Sequence, residues 1–94
     1  MAKSKDWHVY IIQTESGRFY TGITTDLDRR FNEHTKHKGA KYFRFENPDK
    51  IVFTEVHKNR SEATKREIEI KKLSKNEKKQ FLSNFGYNIS IKSK

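Results

Sequence analysis

Cysteine is absent from this chain of 94 residues, which excludes a disulfide framework, a thiolate metal site and a cysteine nucleophile. That composition suits a reducing compartment, and a cytoplasmic location is the expectation. Long apolar runs are absent as well. No stretch approaches the ~18 residues of a membrane span, and the first residues, MAKSKDWH, contain no apolar run, so no signal peptide is expected. There is no internal repeat and no low-complexity linker. The length suits a single domain. A chain this short buries only somewhat more than ~60% of its unfolded surface, so its core must be small.

Acidic residues are the scarce charge. Twelve Asp and Glu stand against 21 Lys and Arg, a formal net charge of +9. A polyanion is the simplest partner for that excess, because phosphates gather Lys and Arg and release counterions. A solvated basic surface with no ligand is the bland alternative. A membrane surface is not expected as a partner, since no long helix carries the aromatic or Leu-rich face that interfacial binding needs.

The pattern of apolar residues gives the elements. Val9-Tyr10-Ile11-Ile12 and Phe19-Tyr20-Thr21-Gly22-Ile23 are β-rich runs separated by Glu15-Ser16-Gly17, a hairpin signal. Thr25 or Asp26 caps a helix running to about His37. Residues 38–50, with Gly39 and Pro48, read as loop, and residues 51–56 as a third strand. Ser61 is expected to cap a second helix over 62–73. Ser74 and Glu77 form a capping box for a third helix, which stops near Gly86. The expected fold class is α+β: a small, three-stranded, mostly antiparallel sheet flanked by helices.

Several polar residues fall where apolar ones belong. In the first helix Leu27, Arg30, Phe31 and His34 follow the i, i+3, i+4, i+7 rule and share one face. Arg30 and His34 therefore sit beside the core anchors Leu27 and Phe31. Arg30 laying its stem on apolar surface, and His34 satisfied at the helix end, would explain both without function. In the second helix Glu67 lies on the stripe of Ala63 and Ile70. A buried carboxylate needs a metal, a hydrogen-bond donor or a cation, here Arg66 or Arg30. If Gly17 takes the left-handed position of a three-residue loop, Ile12 faces Tyr20 and Tyr10 faces Gly22, which puts both tyrosines on one face. A two-residue Ser16-Gly17 loop would separate them. The sorting of Val9, Ile11, Phe19 and Ile23 onto the other face favours the first register. Sheet packing alone also accounts for a tyrosine pair. Local rules tend to fail at functional sites, and three polar misfits on two helices fit that pattern.

Tyr10 in His8-Val9-Tyr10, then Tyr20-Thr21-Gly22, then Arg30 and His34 ten and fourteen residues after Tyr20, resemble the signature of the GIY-YIG nucleases. Glu62-Ala63 followed by Glu67 and Ile70-Lys71 resembles the segment that carries that family's metal-binding glutamate. Gly86-Tyr87-Asn88-Ile89 resembles its closing element, which often supplies an asparagine. The resemblance covers about 7–89, nearly the whole chain. It is closest to the small stand-alone branch akin to the nuclease domain in the C component of excinuclease ABC, a branch of which Gly39-Ala40-Lys41-Tyr42 with Arg44 is typical. The departures are His8 for the leading glycine of the motif and Val9 and Thr21 for isoleucines. All are strand positions that leave the fold unthreatened.

The resemblance implies a divalent-metal-dependent endonuclease that hydrolyses phosphodiester bonds in nucleic acid, with DNA as substrate and repair or recombination as the setting. On that reading Glu67 holds a single Mg²⁺ or Mn²⁺ ion, with water and substrate oxygens completing the shell. Zn²⁺ is disfavoured without His-rich or thiolate spacing. Arg30 stabilises charge on the scissile phosphate. Tyr10 takes the proton of the attacking water, His34 assists or orients it, and Tyr20 positions water or phosphate. Lys41, Arg44 and Asn88 grip the nucleic acid, and a protein partner supplies substrate choice. Lys71, Lys72, Lys75, Lys78 and Lys79 widen the basic surface, although solvation explains most such residues. The competing classes are a non-catalytic DNA- or RNA-binding module that retains the fold, and a protein-interaction or ribosome-associated adaptor.

Overall fold

The computed structural model describes residues 6–36 and 46–84. The elements run β1 (Trp7–Thr14), β2 (Phe19–Thr24), α1 (Leu27–Thr35), β3 (Pro48–His57), α2 (Arg60–Lys71) and α3 (Lys75–Asn84). The three strands form one sheet in the order β2-β1-β3 with both pairings antiparallel, so the fold is α+β as expected. β1 takes the centre because its run Val9-Tyr10-Ile11-Ile12 is apolar on both faces. All four residues are buried.

The hairpin adopts the register that the left-handed glycine implies. Gly17 has φ of 92°, a conformation that costs glycine little and other residues more. The Thr14 N–H donates to Arg18 O at 2.8 Å, which closes a loop over residues 15–17. Ile12 then pairs with Tyr20 and Tyr10 with Gly22. Alternation sorts the sheet into two cores. Val9 and Ile11 pack with Val52, Phe53, Ala63, Ile70 and Leu82, under α2 and α3, while Tyr10 and Ile12 pack with Tyr20, Ile51 and the Leu27 and Phe31 of α1.

Three expected boundaries move. The third strand begins at Pro48, three residues ahead of the expected Ile51, inside what reads as loop. β3 is an edge strand, and a proline at the first residue of an edge removes no ladder hydrogen bond. Register shifts fall between Ile11 and Ile12 and between Gln13 and Thr14; the first passes over Val52, so that consecutive Val52 and Phe53 are both buried. α1 ends at Thr35, short of His37, with Asp26 as its cap: the Arg29 N–H donates to Asp26 Oδ1 at 3.1 Å. α2 is capped by Asn59, not Ser61. Asn59 Oδ1 accepts from the Glu62 N–H at 2.9 Å, and the helix starts at Arg60. Both residue types cap well, and the end of β3 at His57 decides that the turn comes at Asn59. The capping box of α3 forms as expected, Ser74 N–H to Glu77 Oε1 at 2.8 Å and Glu77 N–H to Ser74 Oγ at 3.1 Å. The stop at Gly86 lies outside the described residues. Asn59→Ala is expected to lower stability by about 1 kcal/mol, and Ser61→Ala to leave it within about 0.5 kcal/mol of the parent, both read by urea denaturation.

Candidate active site

Each side chain of the site is placed by a local rule. The hairpin register sets Tyr10 and Tyr20 on one face with ring centroids 6.3 Å apart. α1 lies over that face and its inward stripe brings His34 against both rings. Tyr20 and His34 meet edge-on at 5.3 Å, and Tyr10 and His34 at 6.1 Å. Tyr10 Oη and His34 Nε2 are hydrogen-bonded at 3.1 Å. His34 is 0% exposed, so it is a buried partner of Tyr10 and not a solvated helix-end histidine.

Gly22 makes that arrangement possible. It pairs with Tyr10 across the strands, and the phenol leans over it. A Cβ on residue 22 would stand 2.5 Å from Tyr10 Oη and 2.7 Å from Cζ. The space a side chain would fill is occupied by the Tyr10 ring. The sequence marked Gly22 as a motif letter. Its role as the floor under Tyr10 depends on the cross-strand register.

Arg30 stands one turn before His34, with its side chain 29% exposed and Nη1 donating to Glu33 Oε1 at 2.8 Å. Glu33 also accepts from Arg29 at 3.0 Å. Its carboxyl is held below the usual range, first by the Arg30 hydrogen bond. Glu67 lies on the inner stripe of α2 with buried Ala63 and Ile70, and its side chain is 18% exposed. Its cation is Lys71, at 3.1 Å. The expected partners Arg66 and Arg30 are engaged elsewhere, Arg66 with Glu55 at 2.9 Å and Glu69 at 3.1 Å. The spacings of Glu33 from Arg30 and of Lys71 from Glu67 are the i,i+3 and i,i+4 of neighbouring helix positions, a signal that could have found both. Lys41, Arg44 and Asn88 lie outside the described residues.

The electrostatics centre on Tyr10. Burial pushes its hydroxyl up to about 12, Tyr20 and Glu67 add to the rise, and the Arg30 guanidinium opposes it. Arg30 and Glu67 thus act on one phenol with opposite sign, although they come from different helices. Burial, aided by Arg30, drives His34 down to about 4, with Glu33 opposing, so the imidazole is neutral at pH 7. Phenol and imidazole are thus both uncharged at neutral pH, and either can donate in the hydrogen bond between them according to the imidazole tautomer.

Among the described residues no three His, Asp or Glu side chains are grouped as a metal cage. Glu67 is a partly exposed carboxylate whose ion-pair partner among the described residues is a lysine, Lys71. Such a donor fits a hard cation that keeps most of its own water, as Mg²⁺ does, and does not fit Zn²⁺, which needs several nitrogen or sulfur ligands.

The family of the GIY-YIG catalytic domain matches residues 6–80. The chain belongs to that superfamily and, within it, to the small UPF0213 proteins. A UPF0213 protein of Cupriavidus necator is 43% identical over 81 residues, 86% of this chain and 88% of that one. One from Desulfotalea psychrophila is 49% identical over 74 residues, 78% and 67% of the two chains. The solution NMR structure of the UPF0213 protein BH0048 from Bacillus halodurans shares 42% identity over 86% of each chain, with a TM-score of 0.57. That of the protein EF2693 from E. faecalis shares 39% over 90% and 91%, with a TM-score of 0.61.

Two outcomes follow. Gly22→Ala is expected to destabilise the fold by about 1–3 kcal/mol, because the phenol must move from a packed site, and to shift the His34 ring resonances in NMR spectra. For His34 the folded value, about 4, lies below the ordinary 6.5. Between them the unfolded chain binds more protons, so the stability His34 contributes is complete above 6.5 and is lost as pH falls through 4. His34→Gln is expected to flatten the loss of stability over that window in urea titrations.

Proposed function

We propose that this protein is a divalent-metal-dependent endonuclease that hydrolyses phosphodiester bonds in nucleic acid, with DNA as the substrate class. What supports the reading is that a guanidinium of α1, Arg30, and a carboxylate of α2, Glu67, act with opposite sign on one buried phenol, Tyr10. Phosphodiester hydrolysis must neutralise charge on the phosphate, activate a water and stabilise the leaving oxygen. A cation arm, a proton acceptor and an anionic anchor for a metal are the groups those tasks require.

Arg30 contacts the scissile phosphate. Its fork is part exposed and hydrogen-bonded to Glu33, and a guanidinium keeps its charge at neutral pH. Tyr10 is the proton acceptor for the attacking water. At about 12 its hydroxyl is protonated at neutral pH, so it acts only once positive charge is added beside it. Glu67 is the residue that holds Mg²⁺ or Mn²⁺, which when bound supplies that charge and polarises water and phosphate oxygens. His34 is a positioning residue, since its neutral ring fixes Tyr10 Oη and excludes water behind it. Tyr20, part exposed next to both, orients water or phosphate at the mouth of the site. Repair or recombination is the setting this chemistry suits, with a partner protein supplying substrate choice.

The test is a cleavage screen over duplex, flap, fork and single-stranded DNA with Mg²⁺ or Mn²⁺. Nicking of at least one substrate is expected, abolished by Glu67→Gln and Arg30→Ala with the fold intact, and reduced about 10²–10⁴-fold by Tyr10→Phe. Undiminished cutting by the Glu67 and Arg30 variants would overturn the assignment. Salt-sensitive binding without cutting under either metal would identify a non-catalytic module in its place.

A further inference from the structure

A cleft of about 400 Å³ opens between the start of β2 and the start of α3, lined by Arg18, Phe19, Lys75 and Lys78. Lys75 and Lys78 are at i and i+3 of α3, so they share a face. Neither has a carboxylate within ion-pair distance among the described residues. Arg18 has only a long contact to Glu46, at 3.7 Å, and that carboxylate is already taken by the Ser16 hydroxyl at 2.7 Å. Glu77, the acid nearest in sequence, is committed to the backbone of Ser74.

Lys78 is half-buried, and burial together with its neighbour Lys71 depresses its pKa. Removing an ammonium from water beside another cation is unfavourable unless an anion joins them. Lys71 in turn reaches Glu67 at 3.1 Å. Cationic groups therefore run from the carboxylate of the candidate site through Lys71 and Lys78 to Lys75 and Arg18. A single small anion would use one or two of them. Several cations beside an aromatic side chain, Phe19, in the lining match a ligand that repeats its phosphates and carries flat bases.

We propose that this cleft is a phosphate-binding subsite for a nucleic-acid strand, in which Lys75, Lys78 and Arg18 hold backbone phosphates away from the bond that is cut. The direction of the strand, from Glu67 toward α3, rests on the nuclease reading, while the cleft as a site of nucleic-acid binding does not. The strand passes Lys71 between the two, so the grip sets where along it the scissile phosphate meets Arg30.

Binding of a short fluorescent oligonucleotide, single- and double-stranded, is measured in EDTA over a salt series, so that nothing is cut. The full chain is compared with Lys75→Ala/Lys78→Ala, with Lys75→Arg/Lys78→Arg, and with Lys58→Ala/Lys65→Ala, an exposed pair with the same change of charge. The first variant is expected to lower the slope of log affinity against log salt by about 1.4 to 1.8, two phosphate contacts. The arginine pair is expected to keep the parental slope, and the control pair to change it little. Equal behaviour of the two alanine pairs would overturn the inference. Lost binding at Lys75 and Lys78 in a protein that cuts nothing with Mg²⁺ or Mn²⁺ would leave the cleft standing and remove the nuclease reading. Cutting with undiminished binding would do the reverse.

Discussion

A hydroxyl taken out of water and left unmatched costs about 1–3 kcal/mol, and Tyr10 is 2% exposed in the middle of the central strand. Its match is His34 Nε2 at 3.1 Å. That contact ties α1 to the sheet at a point where the neighbouring packing is otherwise apolar, through Leu27 and Phe31. It also fixes the rotation of the helix, and so the direction in which Arg30 leaves it one turn earlier. The opposing strand must yield space for the phenol, which is the role of Gly22. Helix orientation, ring position and the glycine form one constraint, and the site follows from it.

The same burial that orders Tyr10 makes it a poor base. Its hydroxyl at about 12 and an imidazole at about 4 describe a pair in which neither group is charged at neutral pH. A resting site of this kind avoids burying unpaired charge. On the proposed reading its reactivity comes from outside the ring cluster, from Arg30 and from the cation proposed for Glu67. The stable fold and the chemistry proposed for it are compatible because the charged groups stand at the edge of the buried rings.

What the sequence revealed was local. Gly17 and the alternation of Val9, Ile11, Phe19 and Ile23 were enough for the hairpin register, because loop length and strand period fix it between near neighbours. The stripes placing Arg30, His34 and Glu67 inward depend only on helix geometry. Where competing signals were close, position in the fold decided. Asn59 won over Ser61 as a cap because β3 ends before it, and Pro48 could start a strand because that strand is an edge. The partner of Glu67 is Lys71, at the i,i+4 spacing, and not the expected Arg66 or Arg30. The influence of Glu67 on Tyr10 was legible only through family resemblance, since it joins segments more than 50 positions apart. Lys41, Arg44 and Asn88, expected to grip the substrate, fall outside the described residues.

Strand β1 is shared between two tasks by alternate residues. Val9 and Ile11 point into one apolar cluster, and Tyr10 and Ile12 into the other. Insertion or deletion of one residue in this strand would exchange the two sets, sending the phenol into the larger cluster and an aliphatic chain to the candidate site. Sequence change therefore has little freedom there. Change that spares foldability should collect on the exposed face of α3, away from Phe81 and the buried Leu82, and at Glu15 and Ser16 of the hairpin loop.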